Sequence, residues 1–232
     1  MSAVHIVPPS KGVARRAGGC KPVARRFSDK ENGLIEHAMP TERRIERMRE
    51  VASRRHKDVV LVLEDVHDPH NAQAVFRSCD AFGVQEVHFI FHEQEPFNPR
   101  KIGKASSSSA NKWLDFHFHH APQACIQALK ARGFTICATA LEEADETLYE
   151  ADFRSGALAL LFGNENRGLS ETALAKADRR IAIPMEGMVG SLNISVTAAI
   201  FLFELNRQRR EAGPQRLLPA EQEALVESFL QR

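Results

Sequence analysis

The sequence predicts an α/β fold: a mostly parallel sheet flanked by helices, preceded by a basic N-terminal extension. Three observations carry that expectation. Val59–Leu63 (VVLVL) and Ala157–Phe162 (ALALLF) are continuous apolar runs of strand length, the pattern of strands covered on both faces. Such runs alternate with segments of helical period, as in strand–helix–strand crossover units. Gly83 and Gly133 each follow a helical segment, where a left-handed residue ends a helix. With 232 residues, 43% of them hydrophobic, the chain can bury one α/β core with extensions.

Taken in order, residues 1–39 show neither period. They carry Pro8, Pro9, Pro22, several glycines and the pairs Arg15–Arg16 and Arg25–Arg26, and are expected to stay disordered until bound. A helix follows over 41–57, with Thr41 as N-cap. Ile45, Met48 and Ala52 form its apolar stripe. Arg43, Arg44, Arg47, Arg54 and Arg55 lie around it, suited to phosphate because guanidinium binds in a planar fork. The plainer reading is a surface helix laced by Glu–Arg pairs.

Val59–Leu63 is the first strand. Asn71–Phe82 is a helix whose buried stripe is Val75, Cys79 and Phe82, with Phe76 at its edge, and Val87–Phe91 is the next strand. The polar segment 93–111, with Arg100, Lys101, Lys104 and four consecutive serines, suits the grip of a nucleic-acid backbone. Trp113–Phe118 alternates like a strand. His117, His119 and His120 follow closely, but no Cys, Asp or Glu completes a metal-ligand spacing, so no metal is expected.

Pro122–Arg132 is a helix, Phe134–Ala138 and Ala157–Phe162 are strands, Ser170–Ala177 is a short helix and Ile181–Ile183 a last strand. From Ser191 the chain enters a helix that is apolar on nearly every face between Val196 and Leu205. That pattern predicts burial all round, with Ser191 the plain choice of N-cap. Residues 211–232 read as a tail with a short amphipathic helix.

Charge divides the chain. Residues 1–57 hold 14 Lys/Arg against 6 Asp/Glu, a net of +8, and the remainder is −7. A basic arm beside an ordinary body suggests a polyanionic partner. No apolar run reaches the roughly 18 residues of a membrane span, and the N-terminus lacks the apolar core of a signal peptide. Cys20, Cys79, Cys125 and Cys137 are scattered, as in a reduced, cytoplasmic protein. No glycine-rich dinucleotide or triphosphate motif follows the first strand. Instead, polar loops follow residues 138, 162 and 183, at the carboxyl ends of strands, where open parallel sheets bind ligands.

Three of these segments carry a resemblance. HNAQAVFRSCDAFG (70–83), LLFGNENRGLS (160–170) and IPMEGMVGSLNISV (183–196) resemble, in order and spacing, the three motifs of the SpoU or TrmH-type branch of the SPOUT methyltransferases. The similarity runs from about residue 41 to 210, so the resemblance implies a methyltransferase domain over 40–210. It further implies a C-terminal deep trefoil knot, which general rules against threading would not suggest, and a homodimer. The implied activity is transfer of a methyl group from S-adenosylmethionine to a ribose 2′-hydroxyl of RNA. The likeness is greatest to enzymes acting on the D-loop guanosine at position 18 of tRNA. Ribosomal RNA is the alternative target, and a non-catalytic RNA-binding protein the alternative class.

By position, the resemblance implies catalytic roles for Asn71, Arg77, Glu165, Ser191 and Asn193. Arg77 matches the residue proposed to assist removal of the hydroxyl proton. Since arginine stays protonated at neutral pH, binding the target phosphate and stabilising developing charge is the other role for it. Thr139, Leu141, Gly163, Ile183, Met188 and Leu192 match the cofactor loops. No metal is required.

Overall fold

Seven parallel strands form one sheet in the order β3-β2-β1-β6-β4-β7-β5. They are β1 (Val59–Glu64), β2 (Glu86–Ile90), β3 (Asp115–His119), β4 (Thr135–Thr139), β5 (Glu146–Thr147), β6 (Leu158–Phe162) and β7 (Arg179–Ala182). The computed structural model describes residues 40–101, 110–140 and 144–232. Expectations for residues 1–39, Lys104 and Leu141 therefore lie outside the described residues.

Every residue of β1 is buried, and its alternate side chains feed two cores, as the period of two requires. Val59, Leu61 and Leu63 pack with helices α2 (Pro69–Ala81) and α6 (Ile194–Ala212). Val60 and Val62 pack with α4 (Pro122–Ala131) and α5 (Glu171–Lys176). Helices thus cover both faces, as continuous apolar strands demand. A single helical turn, α3 (Ala110–Trp113), precedes β3, so Trp113 ends a helix instead of opening the strand.

Three further expectations need correction. On α2 it is Phe76 that is fully buried, while Phe82 lies just past the helix end and is only partly covered. Helix α6 starts at Ile194 with Asn193 as its N-cap, not at Ser191. Nor is α6 buried all round: Val196 and Phe203 are 45% and 59% exposed, so one apolar flank faces solvent while another packs on α2.

Helix α1 (Glu42–Ser53) opens at Thr41, whose hydroxyl accepts from the Arg44 N–H. Its Met48 and Ala52 meet Leu225, Val226 and Phe229 of α7 (Pro219–Leu230) in a small separate core. Arg43, Arg44, Arg47 and Arg54 are exposed, the last two paired to Glu50. Arg55 is the exception to the expected arginine face. It falls after the helix end, turns inward and is 1% exposed, with its guanidinium on the Asp80 carboxylate (2.5 Å) and carbonyl (3.1 Å). It is a structural ion pair and is not available to RNA. Among the described residues, no helix is long and apolar enough to cross a membrane.

Candidate functional site

The strand order places the carboxyl ends of β1, β6, β4 and β7 side by side. The polar loops that follow them therefore converge. Between them lies a cavity of about 410 Å³. Ala140, Phe162, Ile183, Leu192 and Phe201 give it apolar walls, and Glu165, Asn166, Arg167 and Ser191 give it polar ones.

The loop after β6 is folded back on itself. Asn164 and Gly168 exchange backbone hydrogen bonds of 2.9 and 2.8 Å, and Gly168 has a positive φ of 71°. A Cβ on Gly163 would stand 2.1 Å from the Gly168 carbonyl carbon, so only glycine permits this closure. Asn164 is buried. Its Oδ1 accepts from the Asn166 N–H, and its Nδ2 donates to the Asp65 carbonyl (2.7 Å). Asp65 holds the neighbouring loop in turn: its carboxylate accepts from the backbone N–H groups of His92, Glu93 and Gln94.

This loop presents Glu165 to the start of α2. The carboxylate accepts from the His67 N–H (2.9 Å), the Asp68 N–H (3.4 Å) and Asn71 Nδ2 (2.8 Å). Asn71 Oδ1 accepts from Asn193 Nδ2 (3.0 Å), and Asn193 Oδ1 accepts from the N–H and hydroxyl of Ser195 at 2.9 and 2.6 Å. Both ends of this chain have fixed polarity. A carboxylate can only accept and a helix N–H can only donate, so each amide between them has one orientation. Burial pushes the Glu165 carboxyl up, but the Asn71 amide and the His67 and Asp68 N–H groups outweigh it, holding the acid below the usual carboxylate range.

Three of the five residues expected to be catalytic, Asn71, Glu165 and Asn193, are thus brought into one hydrogen-bonded line. Ser191 is exposed and lines the cavity. Arg77 is exposed and bonds to none of them. Glu165, a candidate to orient Arg77, orients Asn71 instead. Asp80, the other candidate partner of Arg77, is taken by Arg55, and Arg77 makes no ion pair among the described residues.

Of the expected cofactor positions, Thr139, Ile183 and Leu192 line the cavity. Gly163 serves the loop closure beside it. Met188 does not reach it: it sits on the exposed run 186–190 and is fully exposed, while Met185 lines the wall. The sequence assigns no site role to Met185, Asn164 or Arg167, although Asn164 and Arg167 lie within the second motif and Met185 within the third. Arg100 and Lys101 are exposed, and the Arg100 guanidinium sits over the Phe116 ring at 5.4 Å. The cavity fits S-adenosylmethionine on its own terms: apolar walls for an adenine ring, a polar mouth, and a loop brought close by Gly163.

Comparison with known proteins agrees with this arrangement. The profile of the SpoU rRNA Methylase family matches residues 58–203. The tRNA (guanosine(18)-2′-O)-methyltransferase of Thermus thermophilus is 45% identical over 173 residues, 75% of this chain and 87% of the relative. Among solved structures, the Aquifex aeolicus TrmH/SpoU tRNA modifying enzyme superposes with a TM-score of 0.75 at 33% identity, covering 82% of this chain and 96% of that one. The SpoU methyltransferase AviRb from Streptomyces viridochromogenes, solved in complex with the cofactor AdoMet, gives a TM-score of 0.58 at 26% identity, covering 69% and 61%. By motif order, sheet and overall similarity, the chain belongs to the SpoU methylase family.

Proposed function

We propose that this protein transfers a methyl group from S-adenosylmethionine to the 2′-hydroxyl of the D-loop guanosine at position 18 of tRNA. The observation that carries the reading is the Glu165–Asn71–Asn193 line, which begins at Glu165 on the wall of the cavity. It is a rigid polar rim beside an apolar chamber, which is what a reaction between a polar ribose and a bound sulfonium needs. The similarity to tRNA (guanosine(18)-2′-O)-methyltransferases supports the choice of target.

In this reading the cofactor supplies an electrophilic methyl group whose sulfonium charge is relieved on transfer. The chain's residues do the rest. Thr139, Leu141, Gly163, Ile183 and Leu192 hold the cofactor through backbone groups and apolar contact. Asn71, held by Glu165 and Asn193, positions the ribose, and Ser191 shapes the opposite wall. Arg77 binds the target phosphate and stabilises negative charge developing on the 2′-oxygen. Arg43, Arg44, Arg47, Arg54, Arg100, Lys101 and Lys104, with the basic extension 1–39, contact the RNA backbone.

Two architectural features belong to the same reading. The chain from β6 to α6 forms a deep trefoil knot, supported by the placement of the earlier strand β4 between β6 and β7. Two copies pair through the exposed flank of α6, supported by the exposed Val196 and Phe203. The working unit is a cytoplasmic homodimer whose methyl transfer needs no metal; its domain is 40–210, and in the segment 211–232 that follows, α7 packs on α1.

The deciding experiment supplies labelled S-adenosylmethionine with unmodified tRNA and, separately, ribosomal RNA, and maps the methylated nucleotide. Methyl on the D-loop ribose is the expected result. Methyl only on ribosomal RNA moves the target and keeps the site. No cofactor binding at all overturns the reading in favour of a non-catalytic RNA-binding protein.

A further inference from the structure

The histidines of β2 and β3 acquire a ligand that their spacing in the chain does not reveal. His88, His119 and Cys125 each offer one ligand atom, and these atoms lie within 4.8 Å of one another; the two rings approach through His88 Nδ1 and His119 Nε2. We propose that these three atoms form a binding site for a borderline-soft divalent cation, zinc in particular, which ties α4 to β2 and β3.

The fold builds the site from three elements. In the β2–β3 register His88 pairs with His117, and Ile90 with His119. The period of two puts His88, His117 and His119 on one face of the sheet. That face carries α4, and Cys125 on α4 is fully buried against it. His88 is 4% exposed, and its ring is stacked between those of His117 (4.6 Å) and His119 (5.3 Å).

The donor geometry suits a metal. His88 Nδ1 and His119 Nε2 are 3.0 Å apart, so a proton shared between them can be replaced by an ion. Zinc bonds imidazole nitrogen at about 2.0–2.1 Å, which in a tetrahedron separates two nitrogens by about 3.3 Å; a small opening of the pair is enough. The other nitrogen of His88 faces Glu86 Oε2 at 3.4 Å, and Arg132 holds that carboxylate with bonds of 2.8 and 2.9 Å. A carboxylate behind a histidine selects the tautomer that leaves the far nitrogen free for metal. Two imidazoles and a thiol favour zinc over magnesium or calcium, which prefer oxygen. His119 is half-buried, so water completes the fourth position. On binding, Cys125 releases its thiol proton to solvent and the thiolate ligates the ion. The site lies on the face opposite α2 and α6 and is independent of the methyl-transfer reading.

The test uses full-length protein stripped of metal by chelator and titrated with Co²⁺ alone, then with Zn²⁺. One Co²⁺ per chain should bind with a thiolate-to-cobalt charge-transfer band that Zn²⁺ abolishes, and Zn²⁺ should raise the thermal midpoint. Cys125→Ser, nearly isosteric and checked by far-ultraviolet circular dichroism, should lose the band and the Zn²⁺-dependent midpoint shift. His119→Ala, at a half-buried position, should weaken binding at least tenfold. Any of three results overturns the proposal: no stoichiometric binding, binding without a thiolate band, or a band that survives in Cys125→Ser and so belongs to another cysteine.

Discussion

Replacing Glu165 by glutamine isolates the fixed polarity of the Glu165–Asn71–Asn193 line, because the change keeps shape and turns one acceptor into a donor. In the native site one carboxylate oxygen takes the His67 N–H and the other takes Asn71 Nδ2 and the Asp68 N–H. Glutamine can satisfy only one of these sides. If its oxygen faces Asn71, its amide opposes the His67 N–H. If its amide faces Asn71, that residue must flip and present its own amide to Asn193 Nδ2. Asn193 cannot follow without giving up the Ser195 N–H that caps α6. Each charge-assisted bond is worth about 1.5–3 kcal/mol. Glu165 is only partly buried, so water recovers a share, leaving about 1–2 kcal/mol of stability at stake. A comparable loss at the barrier lowers kcat about 5- to 30-fold. Urea unfolding and steady-state transfer to a tRNA transcript measure the two effects. Combining Glu165→Gln with Asn193→Ala should be less than additive, since either change already breaks the line. The reasoning is refuted if Glu165→Gln stays within twofold of the wild type in kcat with an unshifted unfolding midpoint.

Four other outcomes are expected. Arg77→Ala should lower kcat by about 10²–10³ and leave cofactor affinity near the wild-type value; lost cofactor binding would show that its role is misplaced. Gly163→Ala forces a methyl group to 2.1 Å from backbone and should cost about 1–3 kcal/mol while weakening cofactor binding, measured by thermal denaturation and by calorimetric titration; unchanged values would mean that the loop relaxes freely. Arg55→Ala should destabilise by about 2–3 kcal/mol, below the usual cost of breaking a fully buried pair because Asp80 is partly exposed, and leave RNA affinity unchanged; weakened RNA binding with intact stability would return it to the RNA face. Finally, burial and the flanking Arg216, Arg209 and Arg55 charges push His56 down to about 3, below its unfolded value, so the native state disfavours the proton. That contribution is complete above about pH 6.5 and drains away as pH falls toward 3, about 2–3 kcal/mol of it by pH 4.5. Urea unfolding at pH 7 and 4.5 measures it, and an equally steep loss in His56→Gln would refute the assignment.

Local signals in the chain were readable wherever one element decides them. The unbroken run at Val59–Leu63 announces a strand buried on both faces, and β1 is one. The order β6-β4-β7 is not local: the polar loops after residues 138, 162 and 183 point to a common carboxyl edge, but no periodicity states which strands become neighbours. Strand β5 has two residues and is held on the edge of β7 by backbone bonds such as Leu148 N–H to the Ala182 carbonyl, too short to leave a pattern. The start of α6 is not legible locally, because Ser191 and Asn193 are both good caps; Asn193, the cap, also bonds Asn71, which is distant in sequence. Apolarity around α6 suggested burial by its own chain, yet Val196 and Phe203 face outward. Arg55 and Met188 show the same limit: one turned inward past a helix end, the other carried outward on a loop.

The pairing of α1 with α7 joins the first and last helices of the described chain, and it bears on what a cut would do. Arg232, the final residue, adds a bond to the Asp115 carboxylate at 2.5 Å. A protease nick in the Gly213–Pro214 connection would therefore act at both ends of the molecule. Release of α7 strips Met48 and Ala52 of their apolar partners, and α1 loses its seat together with the arginines it displays. C-terminal trimming should be read out first as a change at the N-terminal side, and a bulky C-terminal fusion would report on helix α1 before it disturbed the sheet.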